Sequence, residues 1–402
     1  MSEAESVYAF FHDPTNMPLL LVASDKTQHA WQHISQYQYT QQVLRDGPIH
    51  ELPEKIDPSI ARIPIEYSDK AVKSVDEYFD TSTMDGLVVL HEGKLVYERY
   101  KTMRPFDKHI WFSCSKIIVG TSLALLEHEG KVDASKPVSE YLSELKGSVW
   151  DSVTVEQTLD MATGLDSTEH EEPDARTNPA RGWYKWAESI GLFAPVDGFA
   201  ETPVEVLRAM KRTKPGHTVF EYNSMNTYVC QMIVERLTQM PIAEHYGNRI
   251  WRRIGTEHDG YVGLNKQGRA NCFGFMNSSL RDFARFGMAF TPSQTKFGKG
   301  TIIPDDVVRR FQTGLRPEMY SKGAMGAPIQ ETFWRLPGLA NRYQWDVVTP
   351  DGDFFKAGLG GQGLYLSPAN DAVVAFFSTG TMADESTGAW TARHITRSFG
   401  SR

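Results

Sequence analysis

The chain has 402 residues, 41% apolar and 23% charged, which is ordinary for a soluble globular protein with a large core and suggests two lobes. Forty-two basic against fifty acidic residues leave a formal charge of −8 with no basic run, so nucleic acid is not an expected partner. Cys114, Cys230 and Cys272 are too few and too far apart for a disulfide framework or a metal-ligand cluster. The acidic start Met1-Ser2-Glu3-Ala4-Glu5 lacks the marks of a secretory signal, and no run reaches the ~18 apolar residues of a membrane span, so a cytoplasmic protein that binds no membrane is expected.

Residues 1–60 carry turn signals such as Asp46-Gly47-Pro48 but no period, and are expected to form an extension packed on a core. Gly86 to His91 and Leu95 to Tyr100 are strand-like runs around Glu92-Gly93-Lys94, a predicted β-hairpin. It leads to Ser113-Cys114-Ser115-Lys116 and an apolar helix, Ile117 to Glu129, closed by Gly130. Residues 131–277 read as a mostly helical lobe. Thr154-Val155-Glu156-Gln157 opens a helix that Gly164 closes, Thr202-Pro203-Val204-Glu205 opens another, and Tyr222 to Met240 has a helical apolar period. A helix from Ser278 to Phe290 precedes strands at about 345–348, 354–357, 363–366 and 372–377, and a last helix covers about 387–399. Strands at both ends with helices between predict an α+β protein. Its antiparallel sheet, flanked by helices, comes from a lobe of residues 61–130 and 278–402, with 131–277 inserted.

Ser113 and Lys116 are three residues apart where a helix begins, so their side chains share a face. A neutral lysine there can take the serine proton, and the N–H groups of the helix start favour the negative charge that develops in acyl transfer. The competing reading makes Ser113 an N-cap and Lys116 a solvated first-turn residue. The same S-x-x-K spacing recurs at Ser143–Lys146, late in a short helical stretch, and at Ser293–Lys296, in a predicted loop, where neither position offers a helix N-terminus. Cys114 is a rival nucleophile that lies about 100° around the helix from Ser113. Tyr222 ends a short extended piece after the Pro215-Gly216 turn and could relay a proton, or simply be a core tyrosine. Gly358-Leu359-Gly360-Gly361-Gln362-Gly363 satisfies G-x-G-x-x-G, but a strand follows it where a dinucleotide site needs a helix; the alternative is a strand edge that donates N–H groups to an oxyanion. No H-E-x-x-H pair or G-x-S-x-G elbow occurs.

Ser113-x-x-Lys116, Pro215-Gly216 with Tyr222-Asn223-Ser224, the Gly274 to Gly287 segment and Lys356-Ala357-Gly358 occur in the order found in the serine β-lactamase-like, penicillin-binding-protein-like superfamily. The chain resembles that group over about residues 80–400, most of all 6-aminohexanoate-dimer (nylon oligomer) hydrolases and family VIII carboxylesterases. The resemblance implies Ser113 as acylated nucleophile, Lys116 as general base, Tyr222 as proton relay, and the backbone N–H groups of Ser113 and Leu359 as oxyanion hole. It implies a small-molecule ester or amide substrate and no metal or organic cofactor; a homodimer stays open. Substrate-binding candidates are Ser224, Lys356, Gly360, Asp174 and Tyr184. Class C β-lactamases carry Tyr-x-Asn and Lys-Thr-Gly where this chain has Ser224 and Ala357, which weakens a β-lactamase or DD-peptidase reading. The acidic run Asp166, Glu169, Glu171, Glu172 and Asp174 is either a solvated loop or, by the resemblance, a holder of a substrate ammonium. A silent scaffold protein is the reading from another class, and it has no use for Ser113, Lys116 and Tyr222 together.

Overall fold

A computed structural model of the protein describes residues 3–13, 16–193, 201–380 and 382–400; Met1, Ser2, Pro14 and Thr15 of the expected N-terminal extension lie outside the described residues. The main sheet has seven antiparallel strands, labelled β1 (Met84–His91), β2 (Lys94–Tyr100), β3 (Ala340–Arg342), β4 (Trp345–Val348), β5 (Phe354–Gly358), β6 (Gln362–Ser367) and β7 (Ala372–Ser378). Their order is β2-β1-β7-β6-β5-β4-β3, so the hairpin from the first quarter of the chain pairs with the last strand, Val374 opposite Val89. Strands β1, β5, β6 and β7 are buried almost throughout, as expected of a sheet covered on both faces.

Four helices position the site: α1 (Lys116–His128), α2 (Ser224–Thr238), α3 (Leu280–Met288) and α4 (Met382–Phe399). Helix α1 is buried along its whole apolar run, packs on α2, and ends where Gly130 takes a φ of 70°. Gly287 of α3 lies so close to the sheet that a Cβ there would meet Val373 at 2.7 Å. The missing side chain is what lets the helix settle on β7.

Four expectations are sharpened or corrected. The stretch 131–277 is not only helical, because Gly260–Gly263 and Met276–Ser278 are strands of a second, four-stranded sheet completed by Thr40–Val43 and His109–Ile110. A strand from the N-terminal sixty residues thus belongs to a sheet, pairing Val43 with Gly260. The helix opened by Thr154 has its capping box but stops at Leu159, well before Gly164, because Asp160 leaves it to meet Arg316 and Arg342 and the Tyr343 N–H. Ser293 and Lys296 lie in a 3-10 helix rather than a loop, with Ser293 bonded to Asp371 and Lys296 to the Glu92 carbonyl.

Candidate active site

Ser113 lies in a 3-10 turn, Phe112–Ser115, that runs straight into α1, and in such a turn side chains three apart eclipse each other. Lys116 Nζ is 2.9 Å from Ser113 Oγ and donates to the Phe273 carbonyl at 2.7 Å. The helix N-cap is Ser115, which makes no side-chain cap bond, so Ser113 is not spent on capping. The turn itself is strained: Phe112 has a φ of 44°, in the left-handed region, with its ring held edge-on to Trp31 at 4.8 Å between centroids. Trp31 also underlies Gly360, where a Cβ would meet the indole at 2.3 Å. The N-terminal segment is therefore a support beneath the Ser113 turn.

Strand β5 passes the same turn closely. A Cβ on Gly358 would meet the Trp111 carbonyl at 2.3 Å, and Cys114 Sγ, fully buried, bonds the Lys356 carbonyl at 3.3 Å. Cys114 packs the turn against the strand and faces away from the cavity. Lys356 is buried with Asp346 at 2.6 Å, and Asp346 also accepts the Ala357 N–H at 3.0 Å.

Tyr222 stands just before α2, whose N-cap is Asn223, and the extended piece behind it is pinned by Glu221 N–H to the Met161 carbonyl and Phe220 N–H to the Met319 carbonyl. Its hydroxyl is 3.4 Å from Lys356 Nζ, and its ring lies between the two lysines, 5.1 Å from Lys116 Nζ and 4.9 Å from Lys356 Nζ. Burial drives the Lys116 pKa down, and the nearby Lys356 adds to the shift against the opposing pull of Glu169, leaving it at about 7. Lys116 is therefore available as a neutral amine near neutral pH.

Glu169 is a residue the sequence pattern did not single out from its acidic run. It is buried, accepts the Ser224 N–H at 2.7 Å, and pairs with Arg176 at 2.7 Å. Burial alone would raise its pKa; Arg176, His170, Lys116 and the Ser224 N–H outweigh that and hold it at about 2. The rest of the run is also engaged: Glu172 and Asp174 with Arg181, Glu171 with the Ala324 N–H, Asp166 with the Lys211 N–H. It is no open anionic patch.

A cavity of about 350 Å³ opens over Ser113 and Lys116, with Leu359, Ser224, Glu169 and Arg176 in its lining and walls from Phe273, Trp183 and the N-terminal Leu21. A small recess of about 30 Å³ joins Ser113 to Tyr222, His170, Asp346 and Leu359. The structure thus brings together Ser113, Lys116, Tyr222, Lys356, Ser224 and Leu359. It does not bring Asp174, Tyr184 or Gly360 to either space: Asp174 is held by Arg181 and Asn178, Tyr184 packs on Phe193, and Gly360 on Trp31. Helical phase explains the Tyr184 difference, since its neighbour Trp183 turns inward. Arg176 and Asp346 carried no motif signal.

A serine at the head of a buried helix, packed against an antiparallel sheet fed by both halves of the chain, is the arrangement of the serine β-lactamase-like class. A model of the family described as Beta-lactamase matches residues 77–397, and the chain belongs to that family of hydrolases. It is similar to the 6-aminohexanoate-dimer hydrolase of Paenarthrobacter ureafaciens, 28% identical over 306 residues that cover 76% of this chain and 75% of that one. A solved structure from Bacillus anthracis, provisionally named a 6-aminohexanoate-dimer hydrolase, superposes with a TM-score of 0.78 at 20% identity over 95% of each chain. The hydrolase EstCE1, described as having promiscuous acyltransferase activity, gives a TM-score of 0.58 at 13% identity over 80% of this chain and 96% of its own. A class C β-lactamase in complex with cefoxitin gives 0.56 at 15% identity over 81% and 96%.

Proposed function

We propose that the protein hydrolyses small carboxylic esters or amides through an acyl-serine intermediate. The observation that carries this reading is the 2.9 Å approach of Ser113 Oγ to a buried Lys116 whose pKa has fallen to about 7. The neutral amine keeps its bond to the Phe273 carbonyl and takes the serine proton on its lone pair while Oγ attacks the substrate carbonyl. The Ser113 and Leu359 N–H groups hold the oxyanion, and Tyr222, steadied by Lys356, passes the proton on to the leaving group. Water activated by the same lysine and tyrosine then releases the acid and restores Ser113.

Where class C β-lactamases carry an asparagine and a threonine, this chain has Ser224 and Ala357, which lack the amide and the hydroxyl respectively, and the neighbouring groups are turned to structural work. Asn223 caps α2 and bonds the Ser167 carbonyl, and the Ala357 N–H is given to Asp346. Esters and linear amides, oligomers of ω-amino acids such as the 6-aminohexanoate dimer among them, are accordingly favoured over β-lactams. A fluorophosphonate probe should label Ser113, and Ser113→Ala should cut turnover of short p-nitrophenyl esters by at least about a thousandfold. Undiminished hydrolysis by that variant would sink the proposal, and nitrocefin turnover comparable with ester turnover would replace it with the lactam reading.

A further inference from the structure

Three charged side chains line the cavity over Ser113: Lys116, Glu169 and Arg176. Lys116 and Glu169 are only 1% and 5% exposed, whereas the Arg176 side chain is 40% exposed. Among the described residues of that lining, the one open charge is positive. Of the two readings of the acidic run, this runs against the one in which it offers a carboxylate to a substrate ammonium.

Arg176 is also held in a way that suits binding. Glu169 takes an N–H from Nη2 at 2.7 Å, and the guanidinium lies over the Trp183 ring at 5.5 Å. A guanidinium has five N–H donors in a rigid fork, so most of them are left for a ligand, and a side chain already fixed loses little entropy when one arrives. Arg176 borders both the main cavity and the recess beside Ser113 and Tyr222. The walls between are apolar, with Leu21, Val22, Leu192, Phe193, Phe273 and Phe275 facing the space. A site of about 350 Å³ with apolar walls and a cation at one side suits a short aliphatic chain that ends in an anion. Planar, bidentate recognition by arginine favours a carboxylate.

We propose that Arg176 is a specificity residue that selects substrates whose acyl or leaving chain carries a free carboxylate. The inference rests on the acyl-serine reading and adds the substrate class. Glu169 lies on the buried side of the pair, where the Ser224 N–H also holds it, so its charge is directed away from the open face of the guanidinium.

The test compares two esters of equal chain length, p-nitrophenyl hexanoate and the mono-p-nitrophenyl ester of hexanedioic acid. Wild type should favour the acid-bearing ester in kcat/KM. In Arg176→Gln that preference should fall at least about tenfold, chiefly through KM, and Arg176→Lys should keep part of it. Because Arg176→Gln leaves Glu169 without its ion-pair partner, the double change Glu169→Gln with Arg176→Gln is measured beside it and should show the same fall. An unchanged ratio of the two substrates in these variants, or a wild-type preference for the neutral ester, overturns the proposal. If wild type turns over neither ester, the acyl-serine reading fails, and calorimetry with hexanedioate decides this one. Weaker binding by Arg176→Gln than by wild type sustains it, and equal binding overturns it.

Discussion

Two ion pairs of nearly equal length do opposite kinds of work in this protein. Lys356 and Asp346 are 2.6 Å apart with side chains 0% and 5% exposed, on neighbouring strands beside Tyr222. Arg181 and Asp174 are 2.7 Å apart with side chains 37% and 41% exposed, in the loop after Gly164. Solvent screens the second pair, so it holds little more than its own loop. Inside the protein a charge is felt by its neighbours: Lys356 pushes the Lys116 pKa down while Asp346 opposes it. Glu169 and Arg176 stand between these extremes, one partner buried and the other open, and they are where the loop lines the cavity over Ser113 and Lys116.

The largest expected effect comes from breaking the buried pair. Asp346→Ala leaves Lys356 charged and uncompensated and removes the acceptor of the Ala357 N–H, so unfolding by denaturant should show a loss of about 3–5 kcal/mol. A loss under about 1 kcal/mol would mean the pair is no more than a surface contact. Next in size, Gly358→Val should force β5 off the Ser113 turn, since a Cβ would already meet the Trp111 carbonyl at 2.3 Å. Overpacking of this kind costs about 1–3 kcal/mol, and Ser113 labelling by the fluorophosphonate should fall more than the melting temperature does.

A subtler test uses pH. Lys116 must be neutral to act as base, so the acylation rate should rise with pH and level off above about 7. Glu169 raises the Lys116 pKa, so Glu169→Gln should move the midpoint of that profile to lower pH. A midpoint that stays in place would remove Glu169 from the electrostatics of the centre. The smallest effect belongs to the exposed pair: Asp174→Asn should leave both the melting temperature and kcat/KM unchanged within error, and a selective loss on amino-bearing substrates would restore the ammonium-binding reading of the acidic run.

The approach of Ser113 and Lys116 was readable because it is local, three residues apart at the start of one apolar run. The hairpin, α1 and the closing strands were readable for the same reason, each being set by its own period and turn residues. The second sheet was missed because its strands are two to four residues long and come from three distant parts of the chain, too short to show a period. Arg176 and Asp346 were missed, and Glu169 was not told apart from its acidic run, because what distinguishes them is depth and partner, as when Glu169 meets an N–H 55 residues away.

By itself the sequence determined which chemistry was available: a hydroxyl, an amine and a phenol, in segments whose local preferences put each at the edge of an element. Only the tertiary structure decided which charges lose their water. Burial lowers the Lys116 pKa, fixes Lys356 on Asp346, and leaves Arg176 as the open charge over the cavity, because the cost of desolvating an ion depends on everything packed around it and on nothing in its own stretch of chain.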